Sequence, residues 1–267
     1  MKIAELSNYL RFLIIKMSYE KKTPHLASSL SCIDIVITLY HSILNLDKKN
    51  FKSDLRNRFI LSKGHAATSL YVSLYYKKII TKKELDSYTK KGSMLEEHPS
   101  PKIFGVEAAT GSLGHGLSIG CGFALSSKIK NKNFMTYVLM SDGECNEGSV
   151  WEAALFASAK KLNNLCAIVD YNKWQATGRT KEILNLDSLS KKFKEFGWKV
   201  LEIDGHNHSL IIKACREARA EKIKPTIIIA NTIKGKGISF MEDDNNWHYR
   251  IPSIEEVYRA KQELRIK

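Results

Sequence analysis

The stretch Ser141-Asp142-Gly143-Glu144-Cys145-Asn146-Glu147-Gly148 holds the residues best suited to chemistry. It follows an apolar run and leads into a segment of helical period that begins near Val150. A helix N-terminus preceded by glycine offers free backbone N–H groups to an anion, and Gly143 lets the main chain approach that anion closely. A carboxylate beside a phosphate would repel it, so Asp142 makes sense there only with a cation between the two. Mg2+ prefers hard oxygen ligands that it shares with a diphosphate. Asn172, just after the next apolar run, supplies a second hard oxygen, and a neutral amide suits a site that already has one carboxylate. Asp-Gly alone is a common turn with Asp as helix cap. The succession of apolar run, Asp-Gly, helix, apolar run and Asn is much rarer.

Such residues need elements to position them. Apolar runs at 58–61, 136–140, 165–171, 199–204 and 226–231 read as buried strands, and helical periods at 33–44, 67–76, 117–129, 150–162, 188–196 and 210–222 alternate with them. Strands apolar throughout and separated by helices imply an α/β fold, a parallel sheet with helices on both faces. Neither a low-complexity linker nor an internal repeat divides the chain, so residues 1–267 read as one domain with an N-terminal helical lead-in and a C-terminal helix from Ser253. Ligands of such sheets collect beyond the carboxyl ends of the strands. Lys63-Gly64-His65, Ser141-Asp142-Gly143, Asn172 and Asp204-Gly205-His206 each follow a strand in turn.

Composition narrows the function. Lys and Arg number 42 against 28 Asp and Glu, a net charge of +14. The lysines are scattered as pairs (Lys48–Lys49, Lys77–Lys78, Lys82–Lys83, Lys90–Lys91, Lys160–Lys161, Lys191–Lys192) rather than gathered on one helix. That pattern describes a basic surface that draws anionic substrates, and no nucleic-acid partner is expected. The apolar run from Leu10 to Ile15 is too short for a signal peptide or a membrane span, so no membrane partner is expected and the cytoplasm is the expected compartment. The five cysteines (Cys32, Cys121, Cys145, Cys166, Cys215) form no CxxC pair and read as reduced thiols, Cys145 as a small buried residue rather than a nucleophile.

The Asp142–Gly143 to Asn172 pattern resembles the thiamine diphosphate signature, Gly-Asp-Gly followed by Asn, with Ser141 in place of the first glycine. Further blocks narrow the resemblance to transketolases. Leu61-Ser62-Lys63-Gly64-His65-Ala66 is similar to the family's Leu-Ser-x-Gly-His-Ala. His98-Pro99, Gly105-Val106-Glu107 and Thr110-Gly111-Ser112-Leu113-Gly114 are similar to its middle blocks. Thr232-Ile233-Lys234-Gly235-Lys236-Gly237 leading to Trp247-His248 is similar to its closing block. The opening block, usually Gly-His-Pro-Gly-Gly-Ser-Leu-Ser, is altered to Pro24-His25-Leu26-Ala27-Ser28-Ser29-Leu30-Ser31. The resemblance runs from residue 24 to 248 and implies the diphosphate-binding (PP-type) domain of the thiamine diphosphate fold.

It further implies thiamine diphosphate and Mg2+ (or Ca2+ or Mn2+) as cofactors, the metal held by Asp142, Asn172 and the backbone carbonyl of Trp174. His65, Gly111, Ser112, Leu113, Asp142, Gly143 and Asn172 would bind the cofactor, with Glu147 supporting it. His65 and His248 would lie by the diphosphate and the reacting carbon, His98 by the donor's terminal hydroxyl, and His25 and His248 by the acceptor aldehyde. Ketol transfer moves protons on and off sugar hydroxyls and carbonyls, work suited to imidazoles. His41, His115, His206 and His208 read as surface or core residues, His206 the most open of them; many family members have Gln where His115 stands.

One family component is missing. A glutamate from a second, pyrimidine-binding domain normally hydrogen-bonds the cofactor ring, and the sequence up to Lys267 leaves no second α/β unit to supply it. The resemblance therefore implies one half of a two-subunit transketolase, active with a separate C-terminal subunit in an α2β2 assembly that acts on ketose and aldose phosphates. The alternatives are a shortened form of a full-length transketolase, a relative that takes an unusual sugar, the alpha chain of a 2-oxoacid dehydrogenase, and a non-catalytic scaffold.

Overall fold

Runs rich in β-branched and other apolar residues form the sheet, as in Thr226-Ile227-Ile228-Ile229-Ala230-Asn231. The computed structural model describes residues 2–47 and 49–266; Met1, Lys48 (half of one lysine pair) and Lys267 lie outside the described residues. Strands β1 (Arg58–Leu61), β2 (Thr136–Ser141), β3 (Leu165–Tyr171), β4 (Lys199–Asp204) and β5 (Thr226–Asn231) are all parallel, in the order β1-β2-β3-β5-β4. The helices are α1 (Ile3–Lys21), α2 (Leu26–Thr38), α3 (Ala67–Tyr76), α4 (Lys82–Asp86), α5 (Gly116–Ile129), α6 (Gly148–Ala159), α7 (Thr180–Ile183), α8 (Leu189–Glu195), α9 (His208–Ala220) and α10 (Ile254–Glu263).

Each strand feeds two cores, because successive side chains point to opposite faces. Ile60, Val138, Met140, Ala167, Val169, Ile227 and Ile229 pack with α5, α6 and α8. Phe59, Leu61, Tyr137, Leu139, Cys166, Ile168 and Ile228 pack with α1, α2, α3, α9 and α10 on the other side. Burial on both faces is what made these strands read as continuous apolar runs. The five strands fall where the sequence places them, β2 longer by one residue.

The second helix departs from expectation. It begins at Leu26 rather than at residue 33, every residue through Thr38 is buried, and a π-helical turn continues it over Leu39–Ile43. Its serines conceal the helical pattern because they turn inward to polar partners. Ser31 Oγ donates to Asp170 Oδ2 at 2.5 Å and Thr68 Oγ1 donates to Ser29 Oγ at 2.8 Å. The window Leu26–Ile43 is apolar enough to cross a membrane, but 83% of it is buried within the fold, as befits a core helix. The short helices α4 and α7 have too few turns to show a period and were not expected from the sequence.

Candidate active site

Parallel pairing decides which loops meet. Ser141 lies opposite Asp170, and Asp170 opposite Ala230, so the segments after β2, β3 and β5 emerge side by side at the carboxyl edge. Lys63, Gly64 and His65 join them from β1, and His25 from the turn before α2. These segments enclose a cleft of about 390 Å³. All four predicted histidines, His25, His65, His98 and His248, line it, with Gly111, Leu113, Gly143, Glu147, Asn172 and Trp174. Ser112 is exposed and does not line it; Asp142 is fully buried and lines a second cavity instead.

Asp142 directly follows β2, its two oxygens differently placed. Oδ2 accepts from Thr180 Oγ1 at 2.8 Å, and Oδ1 is buried without a partner among the described residues. Burial raises its pKa to about 6, against the opposing Thr180 hydrogen bond. Asn172 is held by its amide, whose Nδ2 donates to Ser31 Oγ and Asp170 Oδ2, both at 3.3 Å, while Oδ1 accepts from the Trp174 N–H at 3.0 Å. Two more buried polar atoms without partners among the described residues, Asn146 Oδ1 and Gln175 Nε2, belong to residues lining the cleft. Buried polar groups are nearly always paired, so a cluster of unpaired ones points to a polar ligand. Gly143 forms a cradle, since a Cβ there would lie 2.8 Å from Gln175 Cγ. Among the described residues no group of three or more His, Cys, Asp and Glu could hold an ion. An ion held by Asp142, Asn172 and the Trp174 carbonyl therefore needs further oxygens from a ligand, as a metal–diphosphate pair provides. The residues present fit that pair.

Beneath the cleft runs a buried ion pair, Lys63–Asp170, both side chains 0% exposed. Burial opposes both charges, but each outweighs it for the other: Lys63 is raised and Asp170 lowered from their usual pKa. Asp170 also accepts from Ser31 and Thr232, and Lys63 Nζ donates to the Ser28 carbonyl at 3.1 Å. Lys234 is 1% exposed and forms no ion pair among the described residues. Its Nζ lies 2.5 Å from Asn245 Oδ1 and 3.1 Å from His248 Nδ1. Burial, with Lys63 nearby, lowers its pKa to about 7.

The rings of His25, His65 and His248 form a triangle with centroids 5.1, 5.5 and 5.9 Å apart. His25 adopts a left-handed conformation, φ 65°, and its N–H donates to the His248 carbonyl at 2.7 Å. Burial, helped by His98 and Lys234, lowers His25 to about 4; burial, helped by Lys234 and His25, lowers His248 to about 3. His65 falls well below the usual value, chiefly by burial. The three imidazoles are neutral at pH 7, and Lys234 against His248 Nδ1 leaves that ring's proton on Nε2.

The two acids after Asp142 differ in the roles their surroundings permit. Glu147, expected to support the cofactor, lines the cleft, and a second carboxylate, Glu144, ties the loops beneath it. Glu147 is exposed on the cleft wall, its stem packed against Gly114, and its carboxylate makes no hydrogen bond among the described residues. Glu144 is fully buried and accepts from Ser62 Oγ, from Gly114 N at 2.9 Å and from Ser141 N at 3.3 Å, tying three loops of the cleft together. Gly64 is needed for the same closeness, since a Cβ there would lie 2.7 Å from Gly111 N.

The other histidines lie away from the cleft. His206 Nδ1 donates to Asp34 Oδ2 at 2.8 Å and its Nε2 accepts from Ile233 N at 2.9 Å. His208 bonds Thr38 Oγ1 at 2.8 Å, and His41 and His115 are exposed. Sequence reasoning assigned no role to Ser28, Lys63, Glu144, Asp170, Gln175 or Lys234, although all stand in or under the cleft. A charge inside an otherwise apolar run, as at Asp170, was the available signal, because a buried charge needs partners.

Fold and cleft together define an α/β domain with a polar cleft at the carboxyl edge of its parallel sheet. The family described as "Transketolase, thiamine diphosphate binding domain" matches residues 3–267. The chain is 39% identical to one subunit of the apulose-4-phosphate transketolase of Phocaeicola vulgatus, over 94% of this chain and 89% of that protein. It is 37% identical to 6-deoxy-6-sulfo-D-fructose transketolase subunit SqwG of Clostridium sp. (strain MSTE9), over 95% and 92%. The transketolase structure from Campylobacter jejuni superposes with a TM-score of 0.92 at 29% identity, over 99% of this chain and 43% of that one. This chain thus spans under half the length of the solved transketolases it matches. The chain belongs to the transketolase family, as its thiamine diphosphate binding domain.

Proposed function

We propose that this chain is the diphosphate- and metal-binding subunit of a two-subunit transketolase, moving a two-carbon ketol unit from a ketose phosphate to an aldose phosphate. The observation that carries the reading is one cleft that joins Asn172, Trp174 and Gly143, with Asp142 buried directly before Gly143, to a triangle of neutral imidazoles. Asp142, Asn172 and the Trp174 carbonyl would hold Mg2+, and Lys234, Ser28, Gln175 and His65 would face the diphosphate. Bound thiamine diphosphate supplies a nucleophilic thiazolium carbon and an electron sink for the ketol unit. His25 and His248, neutral at pH 7, can each take a proton from a sugar hydroxyl or return one to a carbonyl oxygen. His98, exposed at the rim, is placed for the donor's terminal hydroxyl. Neutral imidazoles avoid the barrier that a fixed charge would put beside Lys63 and Lys234.

The partner is a second polypeptide carrying the pyrimidine-binding domain, in an α2β2 assembly; two relatives that match over most of their own length are named as subunits. Five free, buried cysteines suit the reducing cytoplasm. The test is ketol transfer from xylulose 5-phosphate to ribose 5-phosphate. The chain alone is expected to be inactive, and turnover by it alone would refute the two-subunit reading. The assembled pair is expected to need thiamine diphosphate and Mg2+; turnover without them would refute the cofactor assignment. A second reading, a less common sugar donor, is favoured by the names of those same relatives, one for apulose 4-phosphate and one for 6-deoxy-6-sulfo-D-fructose. A panel of ketose donors offered to the pair decides between the two.

A further inference from the structure

Ser141 and Gly143 line the cleft, and Asp142 between them borders a different space. A cavity of about 320 Å³ opens against it, walled by Tyr171, Arg179, Thr180, Leu186 and Leu189. Asp142 is itself 0% exposed, so the partner at its carboxylate decides which rotamer it holds. The hydroxyl of Thr180, a residue 5% exposed at the start of α7, holds Oδ2 at 2.8 Å and leaves Oδ1 without a partner among the described residues.

Thr180 is itself fixed in place. Its N–H donates to the Lys173 carbonyl at 3.0 Å, and Trp174 and Arg179 form an antiparallel bridge. Arg179 grips both oxygens of Asp243 at 2.7 Å, with its guanidinium 3.7 Å from the centre of the Trp174 ring. Trp174 Nε1 donates to the same Asp243 at 2.8 Å. One clamped segment therefore touches the loop that carries Asn172 and Trp174, and through Thr180 it touches Asp142 as well.

We propose that Thr180 is the positioning residue of the metal site, selecting the Asp142 rotamer that presents Oδ1 to the ion. The proposal rests on the assignment of Asp142 as a metal ligand. Groups that orient a metal ligand in this way commonly account for about ten- to a hundredfold in metal affinity. Thr180→Val removes the donor and keeps the shape, and Thr180→Ser keeps the donor.

The test is Mn2+ titration, followed by electron paramagnetic resonance, of the full chain saturated with thiamine diphosphate and assembled with its pyrimidine-domain subunit. Thr180→Val should bind Mn2+ about tenfold more weakly, and Thr180→Ser should stay within about threefold of wild type. Thr180→Ala, which leaves space instead of a methyl group, should lose as much as Thr180→Val, so a folding defect in one variant leaves the other to decide. Melting temperatures of the variants separate lost affinity from lost fold. Mn2+ affinity in Thr180→Val and Thr180→Ala within about twofold of wild type would overturn the proposal while leaving the metal site intact. Unchanged Mn2+ binding by Asp142→Ala, or none by wild type, would instead remove the metal assignment beneath it.

Discussion

Taking the charge off Lys234, by pH or by substitution, should weaken diphosphate binding by the same route. Lys234 is 1% exposed and is held at about 7 by burial and by Lys63, against an ordinary 10.5. Near neutrality roughly half the free protein therefore carries it uncharged. An anion bound beside it favours the ammonium, so the bound state has the higher pKa. The sign follows. Below about pH 7 the lysine is already charged and affinity does not change with its titration. Above it, binding must bring a proton from solution, and affinity falls by up to about tenfold per pH unit until the bound-state pKa is reached. Affinity at about pH 9 should then be up to a hundredfold below that at about pH 7. Calorimetry in buffers of different ionisation enthalpy reads the proton directly, with about one taken up per ligand at about pH 8. Lys234→Met should show no such uptake, and as the control it also carries the ligand's own titration, to be subtracted. Lys234→Arg, charged throughout, should flatten the profile. Equal proton uptake by wild type and Lys234→Met would refute the reasoning.

Asp142→Ala should abolish metal-dependent cofactor binding by the assembled enzyme, and unchanged affinity by calorimetry would count against the metal site. Asp170→Asn leaves Lys63 buried without its counter-charge and should cost about 3–5 kcal/mol, read as a fall in melting temperature of about 10 °C. A loss below about 1 kcal/mol would mean that Lys63 finds another partner. Glu144→Gln keeps an oxygen for the Ser62 and Gly114 donors but sets its amide NH2 against the Ser141 N–H, and should cost about 2 kcal/mol, whereas Glu147→Gln should stay within about 0.5 kcal/mol. Equal losses from the two variants would overturn the distinction drawn between these acids.

The sheet was legible because burial on both faces leaves no alternative to apolar strands; Asp142, Asn172 and His65 stood out because polar residues follow those strands, and His25, His98 and His248 through the family blocks around them. What stayed hidden was polarity inside the core. Ser28, Ser29 and Ser31 broke the helical pattern of α2 although they point to buried partners, so the helix was expected to begin seven residues late. Glu144 and Glu147 both follow Asp142 on a short turn, and only the three-dimensional path decides which one turns inward. Thr180 lies far along the chain from Asp142, and nothing local marks a threonine as the partner of a particular carboxylate.

Asp142 and Lys234 show what the cleft was built to receive. Each is buried without an ion-pair partner among the described residues, and each is driven toward neutrality from the opposite side, the acid raised to about 6 and the lysine lowered to about 7. Lys63 and Asp170, equally buried, neutralise one another and keep their charges. A ligand that is itself half cation and half anion resolves both deficits at once, the metal meeting Asp142 and the diphosphate meeting Lys234. A purely anionic ligand would satisfy Lys234 and leave Asp142 buried and unmatched, a cost of several kcal/mol for a full charge, and a neutral ligand would match neither. The two suppressed charges therefore favour a metal–diphosphate ligand on energetic grounds that do not depend on the Asp-Gly and Asn motif.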